Sequence, residues 1–176
     1  MSPTPVDIRP LRADAARNRA RVLEAARELM GARGVEVGME EIARQAGVGV
    51  GTVYRHFPNK EALISALAED RFARIAAVLT EALEDPDPWH GFETMMRRTA
   101  EIHVADRALS EVMRNHGDAM QAAAEKYGVP ELNERLIERC KAAGAIREEV
   151  HHGDIPMIMC GVGIATCSAA GRLAGE

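Results

Sequence analysis

The sequence predicts an all-α protein: three short N-terminal helices, a long connecting helix, and a larger helical domain. Three observations carry that expectation. The 176 residues hold only six aromatics (Tyr54, Phe57, Phe72, Trp89, Phe92 and Tyr127), so the core is aliphatic, alanine and methionine, a mix that favours helices over sheets. Apolar residues recur at helical spacing almost throughout, and glycines and prolines punctuate them at helix-length intervals. No stretch alternates convincingly enough to be a strand.

Residues 13–32 gather Ala16, Val22, Leu23, Ala26, Leu29 and Met30 on one face, and Gly31 and Gly34 stand where a helix would stop. Met39–Ala46 forms a short second helix with Ile42, Ala43 and Ala46 inward. Val50–Phe57 forms a third, stopped by Pro58, because a residue before proline resists the helical conformation. Asn59 is an N-cap for a long fourth helix reaching about residue 84, with Leu63, Ile64, Leu67, Ile75, Val78, Leu79 and Ala82 on its apolar face. The run Glu84-Asp85-Pro86-Asp87-Pro88 breaks it. Helical segments follow at 88–104, 107–115, 117–126, 130–143 and 154–171.

Charge is unevenly spread. The net charge of −5 argues against a nucleic-acid partner, yet residues 1–60 carry ten Lys/Arg against seven Asp/Glu, and the remainder twelve against twenty. A basic contact module joined to an acidic partner domain accounts for that asymmetry. Cys140, Cys160 and Cys167 form no metal spacing and no even set, which fits a reducing cytoplasm. No signal peptide is legible. The uncharged stretch Ile155–Gly171 is 17 residues long, short of the about 20 needed to span a bilayer, and reads as a buried helix.

The stretch GVGVGTVYRHFPNK, residues 47–60, holds the chemistry. A dinucleotide fingerprint fails because Thr52 replaces the third glycine and a helix, not a strand, precedes it; a P-loop fails for want of Gly-Lys-Ser/Thr. A helix-turn-helix fits: a short helix, a tight Gly47-Val48-Gly49 turn, then an exposed second helix. Ile42, Ala43, Val48 and Val53 face inward, leaving Thr52, Arg55 and His56 outward. Gly49 and Gly51 let the helix N-terminus approach a phosphate. Lys60, a cation in the first turn of the fourth helix, opposes its macrodipole unless an anion docks there.

The segment VLEAARELMGARGVEVGMEEIARQAGVGVGTVYRHFPNKEALI resembles the DNA-binding domain of the TetR (tetracycline-repressor-like) family over about residues 12–68. Ala25-Ala26, Gly34, Ile42-Ala43, Ala46-Gly47-Val48, Gly51-Thr52, Tyr54, Phe57, Lys60 and Leu63 carry the resemblance. It implies that Thr52, Tyr54, His56 and Lys60 touch DNA, mostly phosphates, and that Gly49, Val50, Gly51 and Arg55 lie at recognition-helix positions. Gly38 and Gly49 replace the Ser or Thr caps common in the family, which throws base reading onto Arg55, able to pair with guanine. Tyr54 is expected to expose its hydroxyl, and Phe57 to plug the core. Arg9, Arg12, Arg17, Arg19 and Arg21 supply further charge, in a basic leader or a minor-groove arm.

The resemblance divides the chain into a DNA-binding domain at 1–58 and an effector-binding and dimerisation domain at 59–176, connected by a helix at 59–84. Trp89, Phe92, Met96, Thr99 and His103 share a helical face and, with Met113, Met120, Tyr127 and Met157, are candidates to line a pocket for an apolar small-molecule effector; an ordinary methionine-filled core is the plainer alternative. Ile155–Gly171 is expected to serve a homodimer interface, and the family leads one to expect another interface helix beyond it. His151-His152 lies on a polar turn without metal-ligand spacing, so no metal and no cofactor is expected. No nucleophile elbow or His-Glu-x-x-His helix suggests an enzyme. The expected function is a cytoplasmic, homodimeric repressor on double-stranded DNA, without membrane contact. A DNA-binding activator or organiser without effector is the alternative.

Overall fold

The computed structural model describes residues 8–106, 115–159 and 161–162, with side chains from residue 13 onward. Every regular element among them is a helix: α1 (Ile8–Arg33), α2 (Met39–Ala46), α3 (Val50–His56), α4 (Lys60–Glu84), α5 (Pro88–Ala105), α6 (Gly117–Lys126) and α7 (Val129–Ala142), followed by helical turns over 154–159. The chain divides into two compact units, Met1–Leu63 and Ile64–Glu176, with the boundary inside α4. Among the described residues no helix is long and apolar enough to cross a membrane.

In the first unit α1 begins at Ile8, five residues before its periodic stretch. Pro10 falls in the first turn, where an N–H has no intrahelical acceptor to lose. Val22, Leu23, Ala25, Ala26 and Met30 are buried with Met39, Ile42, Ala43, Ala46, Val53, Phe57 and Leu63. Ala16, expected on that face, is exposed, and Leu29 and Val48 are half-buried. Glycine sets both helix ends here. Gly34 (φ +78°) closes α1, its N–H on the Met30 carbonyl at 2.8 Å. Gly47 (φ +63°) ends α2, and the N–H of Val48 returns to the Ala43 carbonyl at 3.0 Å, the pattern of a left-handed C-cap.

In the second unit α4 and α5 run antiparallel, joined by Arg98–Glu81 near one end and Arg74–Asp106 at 2.5 Å near the other. Asp87 caps α5, its Oδ1 accepting from the N–H groups of Trp89 (2.9 Å) and His90 (3.3 Å), with Pro88 at the favoured first position. From α7, Arg139 donates to the carbonyls of Leu83 at 3.0 Å, Ala82 at 3.3 Å and Asp85, satisfying groups that the end of α4 leaves without partners. The Asp85 carboxylate, 2.6 Å from His90 Nδ1, holds that imidazole above its ordinary pKa, while the imidazole holds Asp85 below the usual carboxylate range. The core comprises Ile75, Val78, Leu79 and Ala82 of α4, Met95 of α5, Val129, Leu136, Ile137 and Cys140 of α7, and Ile155 and Met159.

Candidate nucleic-acid interface

The recognition helix α3 is only seven residues long, and its register decides what it shows. Val53 faces inward at 0% exposure and Phe57, its C-cap, at 2%. Positions between them turn outward: Tyr54 is 42% exposed, Val50 38%, Arg55 exposed, and Thr52 and His56 half-buried. Tyr54 and Phe57, three residues apart, therefore part company as expected, one toward solvent and one into the core. The His56 ring lies 6.1 Å from that of Phe57, and the Arg19 guanidinium sits over the Phe57 ring, 5.6 Å from its centroid, so two basic side chains neighbour the plug.

The N-terminus of α3 is open. Gly49 stands at the N-cap in extended conformation with no side-chain cap, and its carbonyl accepts from Thr52 at 2.8 Å. A Cβ added at Gly51 would meet nothing within 4 Å. That open space produces a prediction with two signs. Gly51→Ala is expected to stabilise the free protein by up to about 1 kcal/mol, since alanine is the better helix former, while weakening DNA affinity because the methyl occupies the space a phosphate would enter. Thermal unfolding and a duplex titration on the same preparation check both; unchanged DNA affinity would show that nothing approaches there.

The cations of this unit whose side chains are described fall into two classes. Arg17 pairs with Asp14, Arg27 with Glu24 and Arg33 with Glu41. Arg19, Arg21, Arg44, Arg55 and Lys60 have no carboxylate partner among the described residues. Arg21, read from sequence as leader charge, is a strut: its Nη2 donates to the Gly47 carbonyl at 3.3 Å, and a Cβ at Gly47 would lie 2.5 Å from that nitrogen. Arg44, exposed on α2, was not singled out from sequence. Its signal was there in retrospect, an arginine on the polar face of the first helix of the motif, the helix that crosses the backbone.

Lys60 answers its electrostatic conflict inside the protein. Its ammonium donates to the carbonyl of Val35, in the loop after α1, while Asn59 Oδ1 caps α4 by accepting from the Ala62 N–H at 2.8 Å. An anion is therefore not required to hold the lysine in place.

The pocket candidates of the second unit differ in burial. Thr99 is buried at 3% exposure, and Phe92, Met96 and Tyr127 are half-buried against the core. His103 and Met120 are half-buried. Trp89, stacked on Phe92 at 6.0 Å, is 48% exposed in the first turn of α5. Met157 is 74% exposed, because Ile155 and Met159 on the opposite side of that turn take the inward positions. Met113, and the end of the expected 154–171 helix with Cys160 and Cys167, lie outside the described residues. Sequence reading also missed Arg71, 4% exposed in the buried stripe of α4, since an arginine amid apolar periodicity passes for a surface residue.

A family model described as bacterial regulatory proteins, tetR family, matches residues 22–67. An HTH-type transcriptional regulator of Staphylococcus aureus (strain USA300) is 46% identical over 54 residues, a match spanning 30% of this chain and 29% of that relative. The solved TetR transcription regulatory protein from Mycobacterium vanbaalenii is 38% identical with a TM-score of 0.68, covering 90% of this chain and 98% of the other. The transcriptional regulator FadR from Bacillus subtilis, solved with stearoyl-CoA, shares the fold at 17% identity and a TM-score of 0.70, covering 89% of each chain. With the helix-turn-helix geometry, the open α3 N-terminus and a 38% identical relative covered almost end to end, this chain belongs to the TetR family of bacterial regulatory proteins.

Proposed function

We propose that the protein is a DNA-binding transcriptional regulator, a homodimeric repressor released from a pseudo-palindromic operator by an apolar small molecule. The observation that carries the DNA reading is the sorting of cations: Arg17, Arg27 and Arg33 of α1 pair with acids, whereas Arg44 and Arg55 on the motif and Lys60 just after it do not, and the two α1 arginines without a carboxylate, Arg19 and Arg21, lie against Phe57 and the Gly47 carbonyl of the motif itself. Arg55 reads a base edge, and Tyr54, Thr52 and His56 hold phosphates. Val50, Gly49 and Gly51 allow close approach. Lys60 keeps a structural bond and a DNA role together, since Val35 takes one of three ammonium donors and leaves two for a phosphate.

Exposed Met157 and Ile158, at the start of the uncharged Ile155–Gly171 stretch, support a second copy as partner. Two copies would set their recognition helices about 34 Å apart, one turn of duplex. Ligand release rests on the FadR likeness, a fold of this kind solved with a bound acyl-CoA, and on the general requirement that the effector bind the non-DNA state better.

The test is a titration of the purified chain against duplex DNA from upstream of its own gene at several salt concentrations, with Lys60→Met alongside. Specific binding that falls steeply with salt is expected. The variant should weaken binding evenly across sequences and lower the salt slope by about one. A wild-type protein indifferent to sequence and salt would overturn the DNA reading; tight binding that no ligand relieves would leave a regulator without effector.

A further inference from the structure

Polar residues of α4 and α5 converge in the second unit. Arg71 occupies a stripe position on α4 between Ala68 and Ile75, both buried. Across from it, α5 contributes Thr99 and His103 with Asp106 at its C-cap, and Asp106 accepts from Arg74 at 2.5 Å. Arg71 and Asp106 both lie close enough to act electrostatically on His103.

Two atoms of this cluster have hydrogen-bonding capacity that the protein leaves unused. Thr99 Oγ1 is buried without a hydrogen-bond partner, on a residue 3% exposed, and an unsatisfied buried hydroxyl is destabilising. His103 Nδ1 lies 2.9 Å from the Thr99 carbonyl. A carbonyl can only accept, so the proton is on Nδ1 and Nε2 presents a lone pair. Burial, helped by the Arg71 charge, pushes the imidazole down to about 4, against weaker opposing pulls from the Thr99 carbonyl and Asp106, so it is a neutral acceptor near pH 7. Thr99 and His103 are four residues apart on one helix, roughly 5–6 Å between Cβ atoms, within reach of one bridging atom.

The group complementary to both must donate to Nε2 and accept from the Thr99 hydroxyl. A hydroxyl does so. A carboxylate would set a lone pair against Nε2, a ketone has no proton to donate, and an ammonium has no acceptor and meets the Arg71 charge. Buried Met95 and half-buried Phe92, Met96 and Ile102 around this part of α5 suit an apolar body. We propose that Thr99 and His103 form the head-group subsite of the effector site, and that it takes an uncharged hydroxyl carried on an apolar body, as in an alcohol or phenol. The inference rests on the effector reading above and names its ligand class. The groove of about 380 Å³ lined by α4 and α5, Ile102 among its residues, is a weaker candidate, because its rim charges Arg74, Arg98 and Glu101 are already paired with Asp70 and Asp106, Glu81 and Arg97.

Calorimetric titration of the full chain with 4-ethylphenol, ethylbenzene and 4-ethylbenzoate tests it, with Thr99→Val and Thr99→Ser. The phenol is expected to bind at least about tenfold more tightly than either analogue, the margin of one well-made hydrogen bond. Thr99→Val should remove that margin and Thr99→Ser keep it. Because the hydroxyl lacks a partner in the free protein, Thr99→Val should unfold no earlier than wild type, which separates loss of a ligand contact from loss of fold. Equal affinity for phenol and ethylbenzene, preference for the benzoate, a Thr99→Val protein that discriminates like wild type, or no binding of any probe would each overturn the proposal. Operator affinity measured in parallel tells the two readings apart. Phenol binding through Thr99 that leaves DNA affinity unchanged upholds the subsite and removes ligand release.

Discussion

Gly91→Ala is expected to destabilise the second unit by about 1–3 kcal/mol, although alanine is the better helix former by about 1 kcal/mol. Gly91 lies in the first turn of α5, where the antiparallel partner α4 ends. A Cβ there would sit 2.5 Å from the Ala82 carbonyl oxygen, 3.3 Å from its carbon and 3.1 Å from Asp85 Cβ. The obstacle is mainly backbone, and that backbone is held: Arg139 grips the Ala82, Leu83 and Asp85 carbonyls, and Cys140 Sγ bonds the Pro88 carbonyl at 3.2 Å. Neither helix can retreat without breaking those bonds. Thermal unfolding followed by circular dichroism should show the midpoint several degrees lower, at about 2–4 °C per kcal/mol for a chain of this size. A midpoint equal to wild type would mean that the corner is softer than its hydrogen bonds imply. The contrast with Gly51→Ala, expected to be stabilising, makes the pair informative, since both glycines are helical and only one has a neighbour in the way.

Arg55→Ala is expected to leave stability unchanged and to erase sequence preference. Arg55 is exposed in the last turn of α3 and has no ion pair or hydrogen bond among the described residues, so its removal orphans nothing in the free protein. A bidentate arginine–guanine pair is worth about 1–3 kcal/mol of discrimination, roughly tenfold to a hundredfold per half-site. Competition between the operator and duplexes altered at single guanines should reveal one position whose identity matters to wild type and not to the variant. If the variant loses affinity equally on every sequence, Arg55 holds a phosphate and base reading lies elsewhere on α3.

These two predictions have different origins in the chain. Arg55 was legible from sequence because the helix-turn-helix is local. Spacing places Val53 and Phe57 on one side of a short helix and Tyr54 and Arg55 on the other, Gly47 must end α2, and Asn59 must cap α4. The same periodicity located the buried face of α4, the breaker before α5, and the inward positions of Ile42 and Ala43. All of these depend on residues within a few turns of one another.

Gly91 was not legible, nor was the partition of the cations, because each is decided by a residue far away in sequence. Arg33 is neutralised by Glu41 across a loop, Arg21 is drawn to Gly47, and Lys60 turns back to Val35. A periodic pattern assigns a side chain to a face and cannot say which group waits opposite it. Hence Met157, a pocket candidate on sequence grounds, is exposed to solvent, and Arg71, which the periodic pattern does not single out, is 4% exposed. By itself, then, the sequence determined the helical character of the described elements, the ends of α2 and α4 and the side of α3 that faces outward, since backbone sterics and helical period act locally. Only the tertiary structure decided which charges are neutralised, which glycine is indispensable and where a buried hydroxyl lacks a partner, because those follow from distances between helices that no local spacing encodes.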